Sequence, residues 1–86
     1  MAVRKAWRSA ARNSPRAKTA LVRLGKRIRA LRIERGLTQE EAADRARLDA
    51  KHFQALEHGR SNATVASLVG VARSLGVALK DLFEGV

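Results

Sequence analysis

Lys51, Gln54, Ala55 and His58 recur at helical spacing along one short segment and would line up on a single face. Lysine brings an ammonium donor, glutamine both a donor and an acceptor, and histidine a ring that can serve as either. Such a set suits the reading of a surface by hydrogen bonds. It does not suit bond-breaking chemistry, because neither a thiol nor a hydroxyl with a base signature accompanies it. The chain has no cysteine, which removes disulfides and thiolate zinc sites. Its 2 histidines, His52 and His58, lack partner ligands, so neither a metal nor another cofactor is expected. Glu40 and Glu41 look like paired acids, but a place at the start of a helix gives them a simpler role. An enzyme is not expected.

The chain's 86 residues make one small domain with a modest core. A domain of this size gains from oligomerising or from binding a ligand. With 18 Lys+Arg against 8 Asp+Glu the formal charge is +10, which points to a polyanion, either nucleic acid or an anionic membrane surface. No apolar run approaches the ~20 residues that span a bilayer, and the N-terminus lacks the apolar segment of a secretory signal. A soluble, intracellular chain with no membrane partner is the expectation.

The charge is uneven. Residues 1–20 hold Arg4, Lys5, Arg8, Arg12, Arg16 and Lys18 and no acid, while every acidic residue lies in 21–86. The chain thus divides into a basic arm, 1–20, and a mixed-charge domain, 21–86. Within the arm, Val3, Ala6, Trp7, Ala10 and Ala11 recur at helical spacing opposite Arg4, Lys5, Arg8 and Arg12. A face made mostly of alanine gives a marginal helix on its own. The arm is either a solvated, partly disordered tail or a docking helix, and Asn13-Ser14-Pro15 breaks its pattern. Trp7 has three readings: packing on a partner subunit, insertion into a minor groove, or no role.

The elements that must position the polar face follow from apolar spacing and punctuation. Leu21, Leu24, Ile28 and Leu31 form the stripe of a first helix, which Gly36 ends. Thr38 with Glu41 three residues on is a capping box for a second helix, and Glu40 and Glu41 suit its positive end. Ala42, Ala43 and Ala46 keep that helix slim enough for a close crossing. Asp49 is placed to cap a third helix, with Leu48 and Phe53 as a hydrophobic staple across its start. Phe53 and Leu56 turn inward and the polar face turns out; Gly59 stops the helix. After a polar loop, Thr64 opens a fourth helix with Val65, Leu68, Val69, Ala72 and Leu75. Gly70 inside it costs ~1 kcal/mol relative to alanine, the mark of a close approach. Gly76 closes it, and Leu79, Leu82 and Phe83 make a last short helix.

A short helix on a few buried residues, with polar side chains outward beside a basic loop, is how proteins enter the major groove of DNA. From Leu24 to Phe83 the sequence "LGKRIRALRIERGLTQEEAADRARLDAKHFQALEHGRSNATVASLVGVARSLGVALKDLF" resembles the phage-repressor and Cro class of helix-turn-helix domain, the xenobiotic response element family. The pieces that carry the resemblance are "RGLTQEEAA", the Leu56-Glu57-His58-Gly59 end of the third helix, and "LGVALKDLF". The resemblance implies an all-α, five-helix, lambda-repressor-like bundle containing a helix-turn-helix, preceded by the basic N-terminal arm. It implies base contacts from Ala50, Lys51, Gln54 and Ala55. Backbone contacts would come from Thr38, Gln39, His52, Arg60, Ser61 and Asn62, and a structural salt bridge from Arg32 and Glu57. His58 reads instead as a helix-end residue near the negative end of the dipole.

Three positions depart from the family pattern. Arg47 stands where glycine is common and must take a strained backbone or change the turn. Ala42 replaces a larger aliphatic and thins the core. In the loop, Ala63 stands where many members have proline, and Asn62-Ala63-Thr64 resembles restriction–modification controller proteins. With alanine at two of the base-facing positions, Lys51 and Gln54 must supply most of the direct readout.

The expected function is a sequence-specific, double-stranded DNA-binding transcriptional regulator, acting as a homodimer on a near-palindromic operator in a bacterial or phage cytoplasm. Leu79, Leu82, Phe83 and Val86 are the candidate dimer contacts. The alternative is an antitoxin-type or other protein-interaction module whose basic arm binds a partner protein. A third reading, binding to any polyanion through charge alone, predicts no preference among DNA sequences and a steep salt dependence.

Overall fold

In a computed structural model the described residues are 14–86; the readings of Val3 to Asn13, Trp7 included, lie outside them. The described residues are all helical apart from turns and loops: α1 Pro15–Glu34, α2 Gln39–Ala46, α3 Ala50–Glu57, α4 Val65–Leu75 and α5 Leu79–Leu82. The expected all-α architecture with five helices is the observed one.

α1 begins earlier than the stripe from Leu21 suggests. Ser14 is the N-cap, its Oγ accepting the Ala17 N–H at 3.1 Å, and Pro15 opens the first turn. Proline loses nothing there, since its missing N–H would have no helical partner and its φ is already helical. The last residues assigned to the arm are therefore part of α1. Only Leu24, Gly25, Ile28 and Leu31 of the helix are buried. Gly25 is the unexpected member: a Cβ on it would run into the backbone carbonyls of Leu56 and Glu57, so α1 touches the end of α3 almost backbone to backbone.

α2 carries the expected capping box. The Thr38 hydroxyl accepts the Glu41 N–H at 3.0 Å, and the Glu41 carboxylate accepts the Thr38 N–H at 2.9 Å. The Thr38 backbone bond, then its side-chain bond, hold the Glu41 carboxyl below its ordinary value of 4.5. The depressed value means the box is intact above the ordinary carboxylate range and is lost as pH falls through the folded value. Ala42, Ala43 and Ala46 are all buried. Against them lies α4, where a Cβ on Gly70 would stand 2.8 Å from the Ala46 carbonyl oxygen. The glycine inside α4 is what lets the two helices cross.

The turn between α2 and α3 is bought by strain at one residue. Arg47 is the C-cap of α2 at φ 58, ψ 40, the left-handed region, and donates its N–H to Asp44 and Ala43 carbonyls. Left-handed backbone costs a side-chain-bearing residue ~1–2 kcal/mol, while glycine's greater freedom in the unfolded chain takes back ~0.4–1 kcal/mol. Arg47→Gly is expected to stabilise the domain by ~1 kcal/mol or less, read as a higher urea midpoint at unchanged slope.

α3 starts at Asp49 in the N-cap conformation, but the Asp49 side chain makes no capping bond. What holds the short helix is burial: Phe53, Leu56 and Glu57 face the core, and half-buried Leu48 packs beside it as the staple requires. Gly59, at φ 69, lies close against Val22 of α1. A second capping box, between Thr64 and Ser67, opens α4, and Gly76 ends it in the left-handed region. The C-terminal residues are tied back by Arg27, which donates to the Asp81 carbonyl at 2.9 Å and to Glu84 at 3.0 Å.

Leu82 is fully buried among the core residues. It therefore does not reach a partner, and its inclusion among the dimer contacts is corrected. Leu79 and Val86 are half-buried against the same core, while Phe83 is 45% exposed.

Candidate nucleic-acid interface

α2, the Arg47 turn and α3 form the helix-turn-helix. Because Phe53, Leu56 and Glu57 occupy the inward positions of α3, the intervening residues face away from the core. Lys51 and Gln54 are exposed; Ala55 and His52 are half-buried. Ala50 is also half-buried and packs partly on the core, so of the four candidate base contacts it offers only part of a methyl group.

Thr38, Gln39 and Gln54 meet around one cavity of ≈ 430 Å³, which Arg29, Arg32, Glu57 and His58 complete. The capping box takes the N–H groups of Thr38 and Glu41, leaving those of Gln39 and Glu40 without a capping partner at the positive end of α2. A second cavity beside it collects Arg60 and Asn62 with Lys18, Val22 and His58. Ser61 is half-buried between its two loop neighbours. Polar donors thus gather in two cavities that share His58 at the end of α3. Of the candidate residues, Lys51, His52, Ala50, Ala55 and Ser61 border neither cavity.

His58, expected as a helix-end residue, is the C-cap of α3 and borders both cavities. Arg29, which the sequence does not single out, lines the first one. Its place off the apolar stripe of α1 is the only local signal; that α3 ends beside it is a tertiary fact.

Beneath the face lies the expected ion pair. Arg32 grips Glu57 with both arms of its fork, Nε to Oε2 at 2.6 Å and Nη2 to Oε1 at 3.2 Å. Its remaining nitrogen donates to the Leu37 carbonyl at 2.8 Å, and the Gln39 side-chain amide donates to Glu57 at 2.9 Å. The carboxylate is only 2% exposed. One buried charge therefore sets the positions of α1, of α3 and of the first residue of α2. The Gln39 amide is partly spent inside the protein, with one of its two hydrogens left for an outside acceptor. Among the described residues no group of His, Cys, Asp and Glu is placed to hold a metal ion. No described helix is long and apolar enough to cross a membrane.

Two packed helices joined by a tight turn, with polar groups aimed outward from the second, define the helix-turn-helix class. Residues 25–86 match the family model described as a helix-turn-helix domain, and the chain belongs to that family. It is 37% identical over 65 residues to the HTH-type transcriptional regulator DdrOP3 of Deinococcus deserti, covering 76% of this chain and 50% of that one. The immunity repressor protein of Bacillus phage phi105 is 39% identical over 59 residues, covering 69% of this chain and 41% of the repressor. The chain thus spans about half the length, or less, of these two relatives. Among solved structures, the restriction–modification controller protein C.AhdI of Aeromonas hydrophila superposes with a TM-score of 0.72 at 33% identity, over 73% of this chain and 96% of that one. The resemblance to phage repressors and to controller proteins therefore holds, and the family is one of transcriptional regulators rather than enzymes.

Proposed function

We propose that the chain is a sequence-specific DNA-binding transcriptional regulator that lays α3 in the major groove as one half of a homodimer on a near-palindromic operator. The observation that carries this reading is the exposed pair Lys51 and Gln54 on α3, with Thr38 and Gln39 sharing a cavity with Gln54, and Arg60 and Asn62 lining a second cavity that meets the first at His58. Phosphate contacts fix register and groove contacts read sequence. The chemistry divides in the same way: Lys51 donates to guanine O6 or N7, Gln54 pairs with an adenine edge, and the Ala55 methyl touches a thymine methyl. A two-fold partner suits this reading, since the half-sites of helix-turn-helix dimers recur about one helical turn, ~34 Å, apart. Phe83, with Leu79 and Val86 beside it, supplies the remaining apolar surface near the C-terminus.

Binding-site selection from random duplexes tests the reading: a two-fold motif is expected, and its absence would move the weight to a protein partner. Lys51→Ala is expected to cost ~1–3 kcal/mol and to relax preference at one or two base pairs of each half-site. An unchanged motif for that variant would remove Lys51 from the readout.

A further inference from the structure

α1 reaches past the segment that the family model describes. That segment begins at Gly25, whereas α1 begins at Pro15, so Pro15 to Leu24 are an addition to the matched domain. Contact with the end of α3 fixes where this added length lies. Gly25 meets the carbonyls of Leu56 and Glu57, and one turn earlier a Cβ on Gly59 would stand 2.8 Å from the Val22 Cα. Lys18 lies a further turn back. At about 3.6 residues per turn, Lys18, Val22, Gly25 and Arg29 fall in one row along α1. The row that touches α3 therefore carries a cation at each end.

Each cation opens on a cavity beside α3. Arg29 lines the one that holds Thr38, Gln39 and Gln54. Lys18 lines the other, of ≈ 600 Å³, with Arg60 and Asn62, and His58 belongs to both. Lys18, His58, Arg60 and Asn62 are all exposed. Among the described residues no acid lines the second cavity, and α1 has none before its last residue, Glu34. The carbonyl end of α3 does not account for the cations. Its Gln54, Leu56 and Ala55 carbonyls already accept the N–H groups of His58, Gly59 and Arg60. Cations held together in an open cleft suit an anion from outside.

We propose that Lys18, together with Arg60, binds a phosphate of the DNA backbone, so that α1 extends the contact of each protomer beyond the reach of the matched domain. The inference rests on the reading of α3 as the helix in the major groove, because that placement lays the duplex beside this cavity. The ammonium meets the phosphate as a point charge on a flexible stem. Such a contact adds affinity and holds register, and it reads no base.

The test compares Lys18→Gln with Arg23→Gln in the full chain. Arg23 is also exposed but stands about 140° round α1 from Lys18. Both variants lose one charge from the same helix and keep a good helix former, so a weaker general field would show equally in both. On the duplex that the wild type selects, Lys18→Gln is expected to weaken binding several-fold at ~150 mM salt. The slope of log affinity against log salt is expected to become shallower by ~0.9 for each protomer bound, with the selected motif unchanged. Arg23→Gln is expected to keep the wild-type slope. Phosphate ethylation locates the contact: one phosphate of each half-site whose ethylation weakens the wild type is expected to become indifferent in Lys18→Gln. An unchanged slope in Lys18→Gln, or equal losses in the two variants, would overturn the proposal. So would a lower urea midpoint for Lys18→Gln with the salt slope intact, which would leave Lys18 the packing of α1 alone. If the wild type selects a two-fold motif and Lys18→Gln changes nothing, the inference falls and the functional reading stands. If the wild type prefers no sequence, both fall.

Discussion

Arg32→Ala is expected to destabilise the domain by ~3–5 kcal/mol, because it strands the Glu57 carboxylate in the interior without its counter-charge. The chain's whole stability is of the order of 5–15 kcal/mol for domains of this kind, so the loss is a large share. The magnitude follows from burial rather than from the ion pair being strong. Glu57 is 2% exposed and Arg32 12%, and a carboxylate so enclosed cannot recover its hydration when the guanidinium leaves. Gln39 would remain as a neutral donor at 2.9 Å, which is not enough to carry a full charge. Urea unfolding of the variant gives the number directly. A double variant tests the explanation. Replacing both charges, Arg32→Met with Glu57→Leu, is expected to restore most of the lost stability, since well-packed apolar pairs often match or exceed a buried ion pair. Failure of the double variant to recover would mean that the fork also matters for its bond to Leu37, which no apolar residue replaces. DNA affinity is expected to fall in the double variant even so, because Gln39 loses the carboxylate that orients it.

That network shows what kind of information the sequence carries. Capping and punctuation are local, so Thr38 with Glu41, Gly36, Gly59 and Gly76 declare themselves by spacing alone. Gly70 was legible for a related reason: glycine is a poor choice inside a helix unless something comes close, and the Ala46 carbonyl does. Gly25 offers the same signal inside α1 and went unread, because the apolar stripe around it is regular and its neighbour, the end of α3, is distant in sequence. The pairing of Arg32 with Glu57 had no local mark either; only resemblance to a family suggested it. Pro15 in sequence reads as a break, whereas behind Ser14 it starts a helix, and the difference lies in one cap hydrogen bond. Asp49 had the right type and place for a cap, but its side chain bonds nothing. Leu82 stands among the apolar residues of the C-terminus with no local mark of burial, which depends on the whole core. The site divides similarly. Exposure of Lys51 and Gln54 follows from period and Phe53; the parts played by Arg29 and His58 depend on where α3 ends in space.

Phe53→Ala is expected to be as damaging as the loss of Arg32, at ~3–5 kcal/mol, and its effect on DNA binding should differ in kind from that of Lys51→Ala. The chain has 2 phenylalanines and a single tryptophan. Phe53 is fully buried, while Phe83 is largely exposed. The described core therefore depends on one aromatic ring surrounded by aliphatic residues and alanine. Several of the other core residues, Ala42, Ala43, Ala46 and Ala72, are alanines without the side-chain length to fill a space left by the ring, so the cost is expected in the upper part of the range. α3 has only Phe53, Leu56 and Glu57 to hold it down. Without the ring the helix loses its first point of attachment, and Lys51 and Gln54, which flank it, lose their fixed aim. Binding should then weaken for every sequence alike, in step with the fraction of protein left folded, whereas Lys51→Ala should leave stability intact and change which sequences are preferred. Thermal unfolding and site selection on the two variants separate these outcomes. Phe53→Leu, which keeps most of the apolar contact, is expected to lie between wild type and alanine in stability and to keep the wild-type motif. A changed motif in that variant would mean that packing beneath α3 sets base preference directly, through the tilt of the helix rather than through the identity of its exposed residues.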